Sequence, residues 1–96
     1  MSHSLKQRMR IQMCMSSEAK EQFRTTVGTN IKTTRRTRKI SRDALSEAVG
    51  VTPAYIGLIE RGERGTNCIL LYYIAAELGV STDYLYKGVE SLNVNK

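Results

Sequence analysis

The chain has 96 residues, 15 Lys and Arg against 9 Asp and Glu, a formal net charge of +6 and 41% hydrophobic residues. That length suits one domain with a small core, and no apolar run is long enough for a signal peptide or a spanning helix. Cys14 and Cys68 lack CxxC spacing and a nearby His cluster, so neither a zinc site nor a disulfide framework is expected. The single His, His3, lies near the start. With no Ser/His/Asp set, no metal-ligand spacing and no glycine loop preceded by a strand, the composition points away from an enzyme. We therefore expect no catalytic residues, metal, cofactor, membrane contact or small-molecule ligand. The expected setting is a reducing cytoplasm, with Cys68 as a small buried hydrophobe.

Residues 1–17 read as a basic N-terminal segment. Leu5, Met9 and Met13 fall four apart, which gives either a short sticky helix or a frayed basic arm. Met15 followed by Ser16-Ser17-Glu18 also reads as an alternative start, with upstream or vector-derived sequence before it. The domain proper is expected over 18–88, and 89–96 as a short C-terminal tail.

The first domain helix should begin after Ser16 or Ser17 and run to about Arg38, with Phe23, Val27 and Ile31 as its inner stripe. Arg35 continues that stripe, so it should be partly buried and needs an acidic partner. Gly28 weakens the helix unless another backbone packs closely there. Ser41 caps a second helix that begins Arg42-Asp43-Ala44, with Leu45 and Val49 one turn apart. Gly50 suits the left-handed turn that ends it, and Val51 plugs that turn. Thr52 then caps a third helix with Pro53 at its first position, where the missing N–H costs nothing. Ile56 and Ile59 recur at helical spacing and can pack back on Leu45 and Val49. Residues Arg61 to Gly65 form a glycine-punctuated loop. Thr66 or Asn67 caps a fourth helix whose Leu70, Leu71, Ile74, Ala75 and Leu78 supply core, and Gly79 ends it. Ser81 caps a short last helix through Leu85, and Gly88 closes it. The expected fold is all-α, with five helices and an optional extra one at the N-terminus.

The second and third helices with their turn form a helix-turn-helix, a unit that lays its second helix in the major groove of DNA. Charge agrees with this. Residues 1–48 hold 11 Lys and Arg against 4 Asp and Glu, whereas residues 49–96 hold 4 against 5. Lys32, Arg35, Arg36, Arg38, Lys39 and Arg42 follow one another with no acidic residue between them. A basic block beside such a hairpin is the footprint of a polyanion binder.

Three stretches carry a family resemblance: Gly50-Val51-Thr52-Pro53-Ala54-Tyr55-Ile56, Ile59-Glu60-Arg61-Gly62, and Leu78-Gly79-Val80-Ser81 with Asp83-Tyr84-Leu85. Together they resemble the helix-turn-helix domain of the phage lambda repressor and Cro proteins, also called the xenobiotic response element family. The resemblance runs from roughly Val27 to Gly88. It implies a bacterial or phage transcription regulator that binds operator DNA as a dimer. It also implies a partner for Arg35, because the family pairs an Arg of the first helix with the Glu after the recognition helix, here Glu60.

Some positions depart from the family pattern. Arg42 stands where the family most often has Gln, and Ser46 where it has a small Ala. The outward positions of the third helix are Pro53, Ala54, Gly57, Leu58 and Arg61, where the family usually carries several Gln, Ser, Lys or Arg. Only Thr52, Tyr55 and Arg61 offer hydrogen-bonding groups, while Ala54 and Leu58 can touch thymine methyls.

The function expected from this reading is sequence-specific binding of double-stranded DNA by a homodimeric repressor. Base contacts are expected from Thr52, Ala54, Gly57, Leu58 and Arg61. Phosphate contacts are expected from Arg36, Arg38, Lys39, Arg42, Tyr55 and Arg64. The Leu5, Met9 and Met13 stripe and the last helix around Tyr84 with the Val89–Val94 tail are the two dimer surfaces open at this point. The alternative is a protein-interaction module on the same fold, such as an antitoxin or anti-repressor, with Leu58 and Ala54 as a contact surface.

Overall fold

Side-chain caps set where each helix begins. The computed structural model describes residues 16–89, and within them five helices follow in order: α1 (Ser17–Thr37), α2 (Arg42–Val49), α3 (Pro53–Glu60), α4 (Cys68–Leu78) and α5 (Thr82–Leu85). The N-cap side chains of Ser16, Ser41, Thr52, Asn67 and Ser81 accept from the backbone N–H of Ala19, Ala44, Tyr55, Leu70 and Tyr84 at 2.7–3.1 Å. Each bond satisfies an N–H that the helix itself leaves without a partner. Of the two capping candidates before α4, Asn67 takes the role. Gly50 ends α2 at φ 82° and Gly79 ends α4 at φ 75°, both in the left-handed conformation expected of a helix-terminating glycine. The N-terminal stripe of Leu5, Met9 and Met13, with Cys14 and the tail beyond Val89, lies outside the described residues.

The core is one cluster drawn from all five helices. Val27 and Ile31 come from α1, Leu45 from α2, Ile56 and Ile59 from α3, Leu71, Ile74, Ala75 and Leu78 from α4, and Leu85 from α5. Val49 and Leu70 pack against its edge. Three expectations need correction. Phe23 is 36% exposed; the first two turns of α1 are largely solvated, and its ring rests on Tyr86 with centroids 5.8 Å apart. Cys68 is exposed, because it occupies the first position of α4, one turn before the helix meets the core at Leu71. Leu58, read as an exposed outward position, is half-buried.

Two devices fasten the elements that sequence pattern leaves loose. Asn30 of α1 donates from Nδ2 to the carbonyls of Leu85 and Lys87, at 2.8 and 2.9 Å, and so ties the end of the short α5 to the longest helix. Gly28 meets the end of α3 at backbone contact. A Cβ there would run into the carbonyl oxygens of Ile59 and Glu60, and would lie 2.9 Å from the Glu60 carbonyl carbon. The glycine costs helix propensity and in return lets α1 and α3 cross without side chains between them.

Gly28→Ala should therefore lower stability by about 1–3 kcal/mol, since the obstruction is backbone and the helices must separate. Gly65→Ala is the control, because a Cβ there meets Arg24 Cδ at an ordinary 3.4 Å. Thermal unfolding of both variants checks this; equal melting temperatures would contradict the close crossing.

Candidate nucleic-acid interface

The hairpin is set by the turn between α2 and α3. The Gly50 and Val51 N–H groups both donate to the Ser46 carbonyl, at 2.9 and 3.1 Å, and close the end of α2. Ser46 is 2% exposed, and its hydroxyl donates to the Asp43 carbonyl at 2.9 Å, so a polar residue sits in the hairpin without an unsatisfied group. Ile56 and Ile59, 0% and 2% exposed, turn the inner side of α3 toward α1 and α2. Thr52, Pro53, Ala54 and Arg61 are exposed, and Tyr55 and Leu58 are half-buried.

Glu60, the last residue of α3, is the electrostatic centre of the arrangement. Its Oε2 accepts from Arg35 Nε at 2.6 Å, and its Oε1 accepts from Arg35 Nη2 and Arg42 Nε, both at 3.2 Å. Arg35 also donates from Nη1 to the Ile40 carbonyl at 2.9 Å. The side chains of Arg35 and Glu60 are 9% and 1% exposed, so this is a two-pronged pair in the interior with both carboxylate oxygens occupied. Arg42 is 42% exposed and approaches the same carboxylate from solvent. The acidic partner required by Arg35 is thus Glu60. The second bond, from Arg42, was not anticipated.

Helix α3 continues into the loop through Arg61, whose Nε donates to Glu63 Oε2 at 3.2 Å on the surface. Gly57, read as an outward position, is buried. Arg42 and Arg61 cover it: a Cβ there would lie 3.3 Å from Arg61 Nη1 and 3.9 Å from Arg42 Cδ.

These features match a known family. A family model described as helix-turn-helix covers residues 31–85. The chain belongs to the lambda repressor/Cro-like helix-turn-helix family. That family is one of DNA-binding transcriptional regulators. No curated protein matches the chain. Among solved structures it is similar to the clp gene regulator ClgR from Corynebacterium glutamicum, with 27% identity over 75% of this chain and 78% of that one, at a TM-score of 0.68. It is also similar to a transcriptional regulator of the same family from Vibrio cholerae, with 29% identity and a TM-score of 0.67, over 75% of this chain but only 41% of that longer one. The restriction-modification controller protein C.AhdI from Aeromonas hydrophila shares the fold, at 22% identity over 66% of this chain and 96% of that one, with a TM-score of 0.63.

The basic residues read as phosphate contacts do not all sit alike. Arg36, Arg38, Lys39 and Arg64 are exposed. Lys39 holds a left-handed φ of 60° just after α1, a conformation that costs a non-glycine residue about 1–2 kcal/mol. Arg38 extends over the end of α4, its Nη1 2.9 Å from where a Gly79 Cβ would stand. Arg64 lines a small hollow with Phe23, Arg24 and Tyr86. Just after α5, Lys87 beside Tyr84 holds that phenol below the usual tyrosine range, by hydrogen bonding and by its charge. Its ammonium lies 4.0 Å from the ring centroid.

One patch escaped the sequence reading. Ile69, Tyr72 and Tyr73 of α4 are 66%, 61% and 55% exposed, on the face opposite Leu71, Ile74 and Leu78. Its signal lies in α4 itself, which is apolar on nearly every side, with Glu77 its one charged residue, and such a helix asks for cover on both sides.

Removing either member of the Arg35–Glu60 pair should strand the other and cost about 3–5 kcal/mol, while the double change to Met and Leu should be milder than either single change. Arg42→Ala should cost less than about 1 kcal/mol, because that side chain is partly solvated. Urea denaturation of the four variants measures the order. Single changes at Arg35 and Glu60 with effects as small as that of Arg42 would refute the buried pair.

Proposed function

We infer that this chain represses transcription by binding specific double-stranded DNA as a homodimer, with α3 in the major groove. The observation that carries the reading is the pose of α3. Gly28 and Glu60 fix its inner side at its C-terminal end, while Thr52, Pro53, Ala54 and Arg61 remain exposed. Exposed Arg36, Lys39 and Arg42 around the start of the hairpin supply the positive charge that phosphates require. Thr52, Ala54, Leu58 and Arg61 meet the bases, and Tyr55 and Arg64 join the phosphate contacts. The similarity to a clp gene regulator supports transcription control as the role.

A dimer is proposed because one hairpin spans a single half-site, and paired half-sites about one helical turn apart multiply affinity and specificity. The exposed stripe of Ile69, Tyr72 and Tyr73 supports a self-association surface on α4, alongside Tyr84, 42% exposed, on α5. Large aromatic side chains of this kind concentrate at interfaces.

Binding to random duplex DNA should weaken linearly on a log–log plot against salt, with a slope of about −0.9 per phosphate contacted. Lys39→Gly and Arg36→Ala should each flatten that slope by about one contact. Lys39→Gly is tolerated by the fold, since its left-handed backbone suits glycine. Gel shifts at several salt concentrations read the slope; an affinity indifferent to salt would favour a protein partner over DNA.

Sedimentation at micromolar concentration should give twice the monomer mass of 10.8 kDa, and Tyr73→Glu should shift it toward the monomer and weaken operator binding. A wild-type monomer, with and without DNA, would exclude the dimer.

A further inference from the structure

Helix α3 is short of hydrogen-bonding side chains where a groove-reading helix needs them. Its exposed and half-buried positions include Pro53, Ala54 and Leu58, none of which can make paired hydrogen bonds to a base edge. The structure supplies guanidinium groups to the same surface from outside the helix. Arg42 comes from the first turn of α2, and Arg61 from the residue that caps the end of α3. Both converge on Gly57. A Cβ there would stand 3.3 Å from Arg61 Nη1, 3.9 Å from Arg42 Cδ and 4.0 Å from Arg42 Nε.

Gly57 stands about 100° round α3 from the buried Ile56, on the flank between the core side and the outward line of Ala54 and Arg61. Any longer side chain at 57 would occupy the space through which Arg42 passes. Each arginine is also held in the same way. Arg42 gives its Nε to Glu60 Oε1 and Arg61 gives its Nε to Glu63 Oε2, both at 3.2 Å. Among the described residues, the Nη groups of neither arginine make a hydrogen bond, and the two side chains are 42% and 54% exposed. What remains available on each is the end-on pair of Nη1 and Nη2. That pair matches the O6 and N7 acceptors that guanine presents in the major groove. Holding Nε in place removes part of the rotamer entropy that a free arginine loses on binding.

We propose that Gly57 is a gap through which Arg42 and Arg61, each held at Nε by a glutamate, reach the edges of two guanines in each half-site. This rests on the DNA-binding reading above. It reassigns Arg42 from phosphate positioning to base reading and gives Gly57 a role as spacer.

The test is selection of bound sequences from randomised duplexes, with affinity for unselected duplex measured in parallel across salt. Wild type should select guanine at two positions of each half-site, each by about ten- to hundredfold. Arg42→Lys should lose one of these preferences and Arg61→Lys the other, while the salt slope stays unchanged, because Lys keeps the charge but lacks the planar fork. Gly57→Ala should weaken both preferences severalfold; circular dichroism checks that it folds, and a Cβ there meets only movable side-chain tips. Lys variants that keep both preferences, or Ala variants of the two arginines that weaken all duplexes alike with the selected sequence unchanged, would place both on phosphate and overturn the inference while leaving DNA binding intact. A wild type that binds duplex but selects no guanine overturns it too. Absence of any duplex binding by the wild type would overturn both readings.

Discussion

The carboxylate of Glu60 is the point on which the arrangement of the first three helices depends. It is 1% exposed and charged, and burying it without partners would cost several kcal/mol. Arg35 meets it with two hydrogen bonds and spends a third on the Ile40 carbonyl, so α1, the segment after α1 and the end of α3 share one network. Such a pair adds little net stability over an apolar replacement, yet it is directional. Apolar contact among Ile31, Ile56 and Ile59 would tolerate several rotations of α3. A two-pronged bond at its last residue tolerates few.

Gly28 acts at the same place by steric means. Its missing Cβ brings the α1 backbone against the carbonyls of Ile59 and Glu60, which shortens the distance Arg35 must span from the next two turns of α1. The close crossing and the ion pair therefore reinforce one another. The helix thus fixed is only eight residues long and would not persist alone in water. Its caps by Thr52 and Pro53 begin it, but tertiary packing holds it, and that packing fixes the direction in which its exposed residues face.

Much of this could be read from residue order. Capping Ser, Thr and Asn residues, helix-ending Gly50 and Gly79, and the apolar periods of Val27–Ile31, Ile56–Ile59 and Leu71–Leu78 specify local structure, and local rules located them. The need of Arg35 for an acid followed from its place on an apolar stripe, and the family resemblance pointed to Glu60. The failures share a cause. Residue type suggests burial for Cys68 and periodicity suggests it for Phe23, but neither tells how far along a helix its neighbours extend. The bonds of Arg42 to Glu60, Asn30 to the end of α5 and Arg24 to the Gly62 carbonyl at 3.2 Å join residues 18, 55–57 and 38 positions apart. Long polar side chains have no period, so only the folded arrangement reveals which groups they reach.

That distinction matters most on α3. Judged by its own residues, the helix is a poor reader: a proline, an alanine, a glycine and a leucine where polar side chains are common. Judged by what covers it, the same surface carries two guanidinium groups, and the smallness of its residues is what admits them. The burial of Gly57 follows from this, since a glycine on a flank becomes inaccessible only when something else lies over it. A surface built this way separates two tasks that a recognition helix usually combines. The helix supplies a narrow, rigid body fixed by Glu60 and Gly28, and the neighbouring α2 and the C-cap supply the reaching groups. Since Arg42 is tethered by the same carboxylate that orients α3, the position of its Nη groups is coupled to the angle of the helix, and a change in one displaces the other.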